Sequence, residues 1–261
     1  TRWSHMAWFD RDVLSADTIL ANSQGTSDRL RHWVGRPADE IIYPGVSQEF
    51  HPLDTAERLA AMGELTSLGI IPPYILAVST LEPRKNIGSL VEAFVNLKKR
   101  GELAQHKLVL VGARGWQNET LAHNIENNSE YGIVLPGYVP EKLMPGVFAL
   151  ADVLVMPSLY EGFGMPVQEA RAVGTPVIVS ELPELKEAAA GQALVVSPSS
   201  EEIEKALLKI LKNPIENRLN TTNEIQHWSI SAQHMKEALT QQARKPPEKL
   251  ADRTPPNKQQ R

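Results

Sequence analysis

The sequence predicts an α/β protein built on a doubly wound parallel sheet, preceded by the remnant of another α/β domain. Three observations carry this reading. Between Pro73 and Pro198, short β-rich apolar runs alternate with helical stretches. Most of these runs are apolar along both faces, which suits strands covered by helices on either side rather than strands with one wet face. Each run ends in Gly, Pro or Ser, the residues that turn a strand into a loop.

Taken in order, the runs are Tyr74–Val78, Lys107–Val111, Ile133–Leu135, Asp152–Met156, Pro176–Val179 and Ala193–Val196. A helix is expected at Ile87–Lys99, another from Pro166 to a stop at Gly174, and an amphipathic one at Ser200–Leu211. Upstream, Ala16–Ala21 predicts a strand, Asn22-Ser-Gln with Thr26–Leu30 a capped helix, and Ile41–Val46 a strand stopped by a Pro-Gly turn. So few elements cannot bury a core alone, so residues 1–50 read as the remnant of a preceding domain with its linker. The sheet domain then covers residues 51–212. Residues 213–240 hold a helix expected to open after Ser229, and residues 241–261 form a disordered tail.

Composition narrows the chemistry. The 261 residues are 42% hydrophobic and 22% charged, an ordinary globular balance. With Lys+Arg at 27 against Asp+Glu at 31, the net charge of −4 disfavours nucleic acid as a partner. The absence of cysteine removes disulfide scaffolds, thiolate-bound metals, iron–sulfur clusters and thiol nucleophiles. No apolar run approaches the ~18 residues of a membrane span, so the chain reads as soluble, and its expected location is the cytoplasm. From Gln241 onward six Lys or Arg face two Asp or Glu, with paired prolines and little to bury. A solvated tail is the common outcome for such a segment. Peripheral contact with anionic lipid at the inner face of the membrane is the alternative.

A doubly wound sheet binds ligands outside the carboxyl ends of its strands, which directs attention to the loops after Val78, Val111, Leu135 and Met156. The first reads Ser79-Thr-Leu-Glu-Pro-Arg84-Lys85-Asn86 and runs into a helix. A helix start already favours anions, and two adjacent cations there add charge-assisted hydrogen bonds suited to a diphosphate. The bland alternative is a solvated turn whose cations pair with Glu82 or Glu92. The loop after Met156 reads Pro157-Ser-Leu-Tyr-Glu161-Gly-Phe-Gly-Met-Pro-Val-Gln-Glu169. Its glycines permit a tight turn that presents backbone N–H groups, and its two carboxylates flank that turn. A carboxylate placed there can accept two hydrogen bonds from the vicinal hydroxyls of a ribose or hexose.

Rival motifs fail on particular residues. Gly162-Phe-Gly-Met-Pro-Val167 is close to the dinucleotide fingerprint, but Val167 replaces its third glycine and Glu161 would repel a pyrophosphate. Asp10-Arg-Asp12 looks like a metal-binding pair, yet it precedes a strand rather than following one, so no metal is assigned. Paired carboxylates also suggest glycoside hydrolysis. Their place beside a cationic pair at the end of a sheet argues against it.

The segments Val78–Asn86, Leu110–Gly112, Pro136–Val139, Ala151–Ser158 and Glu161–Glu169 resemble the retaining nucleotide-sugar glycosyltransferases of the GT-B fold, the group 1 family. The resemblance runs from about Ser15 to about Leu239 and covers the Rossmann-like donor-binding half. The element of two glutamates separated by seven residues is the family's signature, and Leu81-Glu-Pro-Arg-Lys-Asn86 resembles mannosyltransferase-like members. The resemblance implies a catalytic set of Glu161, Arg84 and Lys85. Lys85 would bind the donor diphosphate, with Arg84 as second cation because Thr80 stands where many members carry arginine. Glu169 would hold the ribose hydroxyls and Glu161 would lie near the transferred sugar. The backbone of Phe163, Gly164 and Met165 would line sugar and phosphate. Tyr138, Val139 and Leu143, with Gly137, would form the edge for the base, and Gly112 would face the same cleft.

The implied reaction moves a hexosyl group, mannosyl favoured, from a nucleotide-diphosphate sugar, GDP-mannose favoured, to a glycan or lipid-linked acceptor with retention. It implies no metal and no further cofactor, because cations and helix N–H groups stabilise the charge on the departing diphosphate. The family's complete architecture has an acceptor domain of which residues 1–50 supply only a remnant, and the resemblance implies that the Trp228 helix and the aromatic stretch Arg2–Phe9 return to pack on that domain. A non-catalytic nucleotide-sugar-binding fragment or subunit is therefore the alternative.

Overall fold

A computed structural model of the chain describes residues 2–113, 119–213, 217–219 and 225–243. In chain order the elements are α1 (Arg2–Ser15), β1 (Leu20–Ala21), α2 (Gln24–Val34), β2 (Glu40–Ile41), α3 (Thr55–Thr66), β3 (Tyr74–Val78), α4 (Ile87–Lys99), β4 (Lys107–Val111) and α5 (Glu119–Asn127). They continue with β5 (Ile133–Gly137), α6 (Met144–Ala149), β6 (Val153–Met156), α7 (Met165–Ala172), β7 (Val177–Ser180), α8 (Pro183–Ala189), β8 (Leu194–Val196), α9 (Ser200–Leu211) and α10 (Trp228–Ala243). Single 3-10 turns lie at Pro83–Lys85, Ser129–Tyr131 and Glu141–Leu143. Among the described residues no helix is long and apolar enough to cross a membrane.

Contacts divide the chain into two units, one of residues 1–45 with 226–261 and one of residues 46–225. In the first, β1 and β2 pair in parallel, Leu20 opposite Glu40 and Ala21 opposite Ile41. Ser23 caps α2 by accepting from the Thr26 N–H at 3.0 Å. The Arg36 guanidinium donates to the carbonyls of Val13 and Ala16 at 3.0 and 2.7 Å, satisfying the C-terminal end of α1. Gln226 Nε2 and Ser231 Oγ both donate to the Tyr43 carbonyl, at 3.0 and 2.7 Å, and fix the start of α10.

Both strands of this unit are shorter than the sequence suggests. The Ile19 N–H donates to the Asp39 carboxylate at 2.8 Å, so a side chain rather than a strand satisfies it. Pro44 has no N–H to give and closes the second strand early. Helix α10 opens at Trp228 and runs through Ala243, so residues 241–243 of the expected tail are helical. The remainder of that tail, 244–261, and the side chains of residues 2–8 lie outside the described residues.

The second unit is a six-stranded sheet in the order β5-β4-β3-β6-β7-β8, every pairing parallel. Alternate strand residues point to opposite faces. Ile75, Ala77, Leu108, Leu110, Val153, Val155 and Ile178 share a core with Leu90 and Phe94 of α4, Ile125 of α5, and Ile203 and Leu207 of α9. The intervening residues, including Leu76, Val109, Leu154 and Val179, are equally buried. Helices α3, α6, α7 and α8, which pack on one another, belong to that other layer. Chain order across the sheet reverses between β3 and β6, the junction from which successive helices depart to opposite faces and leave a crevice beyond the carboxyl ends.

At the other end of the sheet, two arginines hold carbonyls at the end of α6 and in the segment that follows it. Arg58 donates to Ala149 O, and Arg218 to Ala151 O, each at 3.0 Å. Tyr74 is fully buried and donates its hydroxyl to Val147 O at 2.6 Å. Burial first, and then the nearby Asp152 carboxylate, raise the pKa of that phenol.

Candidate active site

Two loops meet at the β3–β6 junction. The loop after β3 turns through Pro83–Lys85 and ends at Asn86, whose φ of 53° lies in the left-handed region. This reversal of backbone hand ends the 3-10 turn and starts α4. The loop after β6 is tied to it by the Leu159 N–H, which donates to Arg84 O at 2.8 Å. Lys85 Nζ lies 2.6 Å from Glu161 Oε1, and the two side chains are only 13% and 7% exposed. Ser158 Oγ donates to the same carboxylate oxygen at 2.8 Å. Arg84 approaches the other oxygen at 3.7 Å and donates to Tyr160 O at 3.4 Å.

The solvated-turn alternative is realised for half of the cationic pair. Arg84 Nε donates to Glu82 Oε2 at 2.7 Å on the exposed side of the turn. Lys85 points inward to an acid 76 residues away in sequence. An ammonium group has three donors, and Glu161 occupies one of them. The remainder, beside a guanidinium, is the donor set that a phosphate requires.

Beyond Glu161 the chain passes Phe163, which is buried, and reaches Gly164, with φ of 111°. A Cβ at Gly164 would fall 2.6 Å from Leu185 Cδ2, so neither the conformation nor the space admits another residue cheaply. Helix α7 starts at Met165 with proline in its first turn, placing Glu169 about 6 Å along the axis from its first residue. The Glu169 carboxyl is pushed up to about 7, first by burial and then by the negative charge of Glu141. Glu141 opens the 3-10 turn after β5 and is exposed.

The other expected site residues lie at the same end of the sheet, because parallel strands all deliver their following loops there. Gly112 directly follows β4 with φ of 143°, and a Cβ on it would overlap Ser79 O at 2.1 Å. Thr80, the next residue along that loop, is exposed. Tyr138 is 84% exposed just beyond β5, while Val139 is buried and Leu143 is half-buried. Met165, the first residue of α7, is half-buried. Arg84, Lys85 and Glu161 are thus in direct contact, and Glu169 lies within electrostatic range of Glu141.

Three participants were not singled out from sequence: Ser158, Asn86 and Glu141. Ser158 and Asn86 stand inside the two motifs already quoted, but nothing in their spacing distinguishes them from ordinary loop residues. Glu141 is 28 residues from Glu169 in sequence, and the packing of α6, which follows the Glu141 turn, against α7 brings them close.

A family model described as "Glycosyl transferases group 1" matches residues 70–228. The chain belongs to the group 1 glycosyltransferases. The O-antigen chain mannosyltransferase B of Escherichia coli is 34% identical over 190 residues, covering 71% of this chain and 49% of that protein. The D-inositol 3-phosphate glycosyltransferase of Nocardia farcinica is 31% identical over 183 residues, covering 65% of this chain and 39% of that protein. This glycosyltransferase chain therefore spans about half, or less, of the curated relatives it matches.

Among solved structures, sucrose-phosphate synthase from Thermosynechococcus elongatus superposes with a TM-score of 0.76 at 25% identity, over 91% of this chain and 61% of that one. HepE of Anabaena, in complex with UDP and glucose, superposes with a TM-score of 0.74 at 19% identity, over 87% and 64%. That second likeness concerns the fold. The glycosyltransferase sheet described above is accordingly the Rossmann-like half of a GT-B architecture.

Proposed function

We propose that this glycosyltransferase chain binds a nucleotide-diphosphate sugar across the carboxyl ends of β3 to β6. In the reaction it serves, a hexosyl group, mannosyl from GDP-mannose, passes to a glycan or lipid-linked acceptor with retention of configuration. The observation that carries the reading is the partly buried Lys85–Glu161 pair, flanked by Arg84, at the point where strand order reverses. A sugar diphosphate needs cations for its bridging charge, a carboxylate for its hydroxyls and close backbone approach, and this set supplies all three types of group. Resemblance to the E. coli mannosyltransferase supports the mannosyl assignment. The UDP and glucose in the HepE complex support a nucleoside diphosphate as the kind of ligand.

In this reading the diphosphate sits against the free donors of Lys85 and the outward face of Arg84. As the glycosidic bond breaks, negative charge grows on the leaving diphosphate, and both cations stabilise it. Glu161, held by Lys85 and Ser158, presents its carboxylate to the hexose. Glu169 accepts from the ribose hydroxyls, and Tyr138, Val139 and Leu143 border the base.

Parallel calorimetric titrations with GDP, UDP and ADP test the binding reading, with GDP expected to bind most tightly. Incubation with GDP-mannose and a glycan acceptor tests turnover, and the anomeric configuration of the product tests retention. Binding without turnover is the result expected of a non-catalytic fragment. Failure of all three nucleotides to bind the folded chain would end the proposal.

A further inference from the structure

Asparagine is among the best helix N-caps, because its side-chain oxygen can accept from the first free N–H groups of the helix. Asn86 occupies that position ahead of α4, yet its side chain makes no capping hydrogen bond. Its amide is used elsewhere. Nδ2 donates to Pro157 O at 3.1 Å and to Pro198 O at 2.7 Å, and Oδ1 accepts from Ser89 Oγ at 2.8 Å. Both amide protons are thereby committed to carbonyls of other loops. Pro157 follows β6 directly and begins the loop that carries Ser158 and Glu161, whereas Pro198 lies just beyond β8. The residue that joins these loops is the immediate neighbour of Lys85 and sits in a left-handed conformation, φ 53° and ψ 32°.

We infer that Asn86 is a positioning residue. It fixes the loop after β3 to those after β6 and β8, so that Lys85 meets Glu161 and its remaining donors face a diphosphate. This inference rests on the donor-site reading above and adds to it the device that sets the geometry. A lysine on an untethered loop would keep its charge but spend binding free energy on becoming ordered. The amide tether removes that cost before ligand arrives. Its effect is therefore specific to the part of the ligand that Lys85 touches.

The test compares the wild-type chain with Asn86→Gly and Ser89→Ala, each titrated with a nucleoside diphosphate and with the parent nucleoside. GDP with guanosine and UDP with uridine serve as probe pairs, and the pair that wild type binds is used. Glycine keeps the left-handed backbone without strain, so Asn86→Gly removes the amide and adds backbone freedom, which Ser89→Ala does not. It is expected to weaken the diphosphate roughly fivefold to tenfold, the scale of a lost hydrogen bond or two, with the nucleoside changed by less than about twofold. Ser89→Ala, which frees the amide oxygen, shifts the ratio the same way by a smaller factor. Equal weakening of both ligands, or a lowered Tm with an unchanged ratio, would overturn the inference and reduce Asn86 to a structural residue. Should Asn86→Gly not fold, an unchanged ratio in Ser89→Ala overturns it equally. If wild type binds neither diphosphate, the donor-site reading itself fails, and this inference fails with it.

Discussion

Donor binding should weaken on mild acidification because Glu169 is only partly ionised near neutrality. Its carboxyl is pushed up to about 7 by burial, and secondarily by Glu141. Ribose hydroxyls donate to the ionised form, so the complex forms with the carboxylate and binding expels a proton wherever the free site holds one. With a folded pKa near 7, the ionised fraction falls from about nine-tenths at about pH 8 to about one-tenth at about pH 6, so affinity should drop roughly tenfold between them. A nucleotide sugar is the ligand to use, since its diphosphate does not titrate in that range. Calorimetry in two buffers of different ionisation enthalpy reads both the affinity and the protons released. Glu141→Gln removes the neighbouring charge and should move the transition to lower pH. Glu169→Gln should bind more weakly and lose the transition. The same shift has a stability consequence of definite sign. The folded chain retains this proton up to about pH 7, whereas the unfolded chain releases it near the ordinary glutamate value. Stability attributable to Glu169 is therefore lost as pH rises between those values. Equal affinity at both ends of the pH range, or a transition that survives in Glu169→Gln, would refute the reasoning.

Other substitutions probe the remaining parts of the account. Lys85→Met leaves Glu161 buried with Ser158 and, at 3.7 Å, Arg84 as its partners, and should cost near the lower end of about 3–5 kcal/mol in denaturant unfolding. The double variant Lys85→Met/Glu161→Leu should recover most of that loss, and equal losses in single and double variants would deny the coupling. Gly112→Ala forces a Cβ against Ser79 O and should lower both Tm and nucleotide affinity, because the β3 and β4 ends must part. Phe94→Ala, in the core between α4 and the sheet, should cost about 3–5 kcal/mol while leaving the affinity of the folded fraction unchanged. A calorimetric Kd that moved with it would show that the core and site are coupled.

The doubly wound sheet was legible because its strands are buried on both faces and so carry continuous apolar runs. Tyr74–Val78 and Lys107–Val111 have the bounds that hydrophobic pattern alone suggests. Pro176 drops out of the fifth run, a proline having no N–H to donate to a ladder, and Ser180 takes its place at the other end. The strand at Ile133 extends through Pro136 and Gly137, where a register shift opposite β4 accommodates the irregularity at the sheet edge. The strands near residues 20 and 40 were less legible, because a two-stranded ladder is limited by side-chain competitors such as Asp39 that no hydrophobic pattern reports.

For the site, charge type and strand-end position were enough to single out Arg84, Lys85, Glu161 and Glu169. They did not distinguish an outward cation from an inward one. Arg84 and Lys85 are adjacent and both basic, yet one pairs with Glu82 in solvent and the other with the buried Glu161. That difference arises from the 3-10 turn that carries both, in which successive side chains point about 120° apart, a local geometry that two adjacent basic residues do not announce. The approach of Glu141 to Glu169 was equally silent, since it depends on how α6 packs against α7.

The central claim is that one ligand spans the ends of β3 to β6, its diphosphate on Lys85 and its ribose on Glu169. A crystal structure of the chain with GDP tests this most directly. The account predicts phosphate oxygens within hydrogen-bond distance of Lys85 Nζ and both ribose hydroxyls on the Glu169 carboxylate. A nucleotide bound elsewhere, or one with its ribose turned away from Glu169 while the diphosphate avoids Lys85, would contradict it.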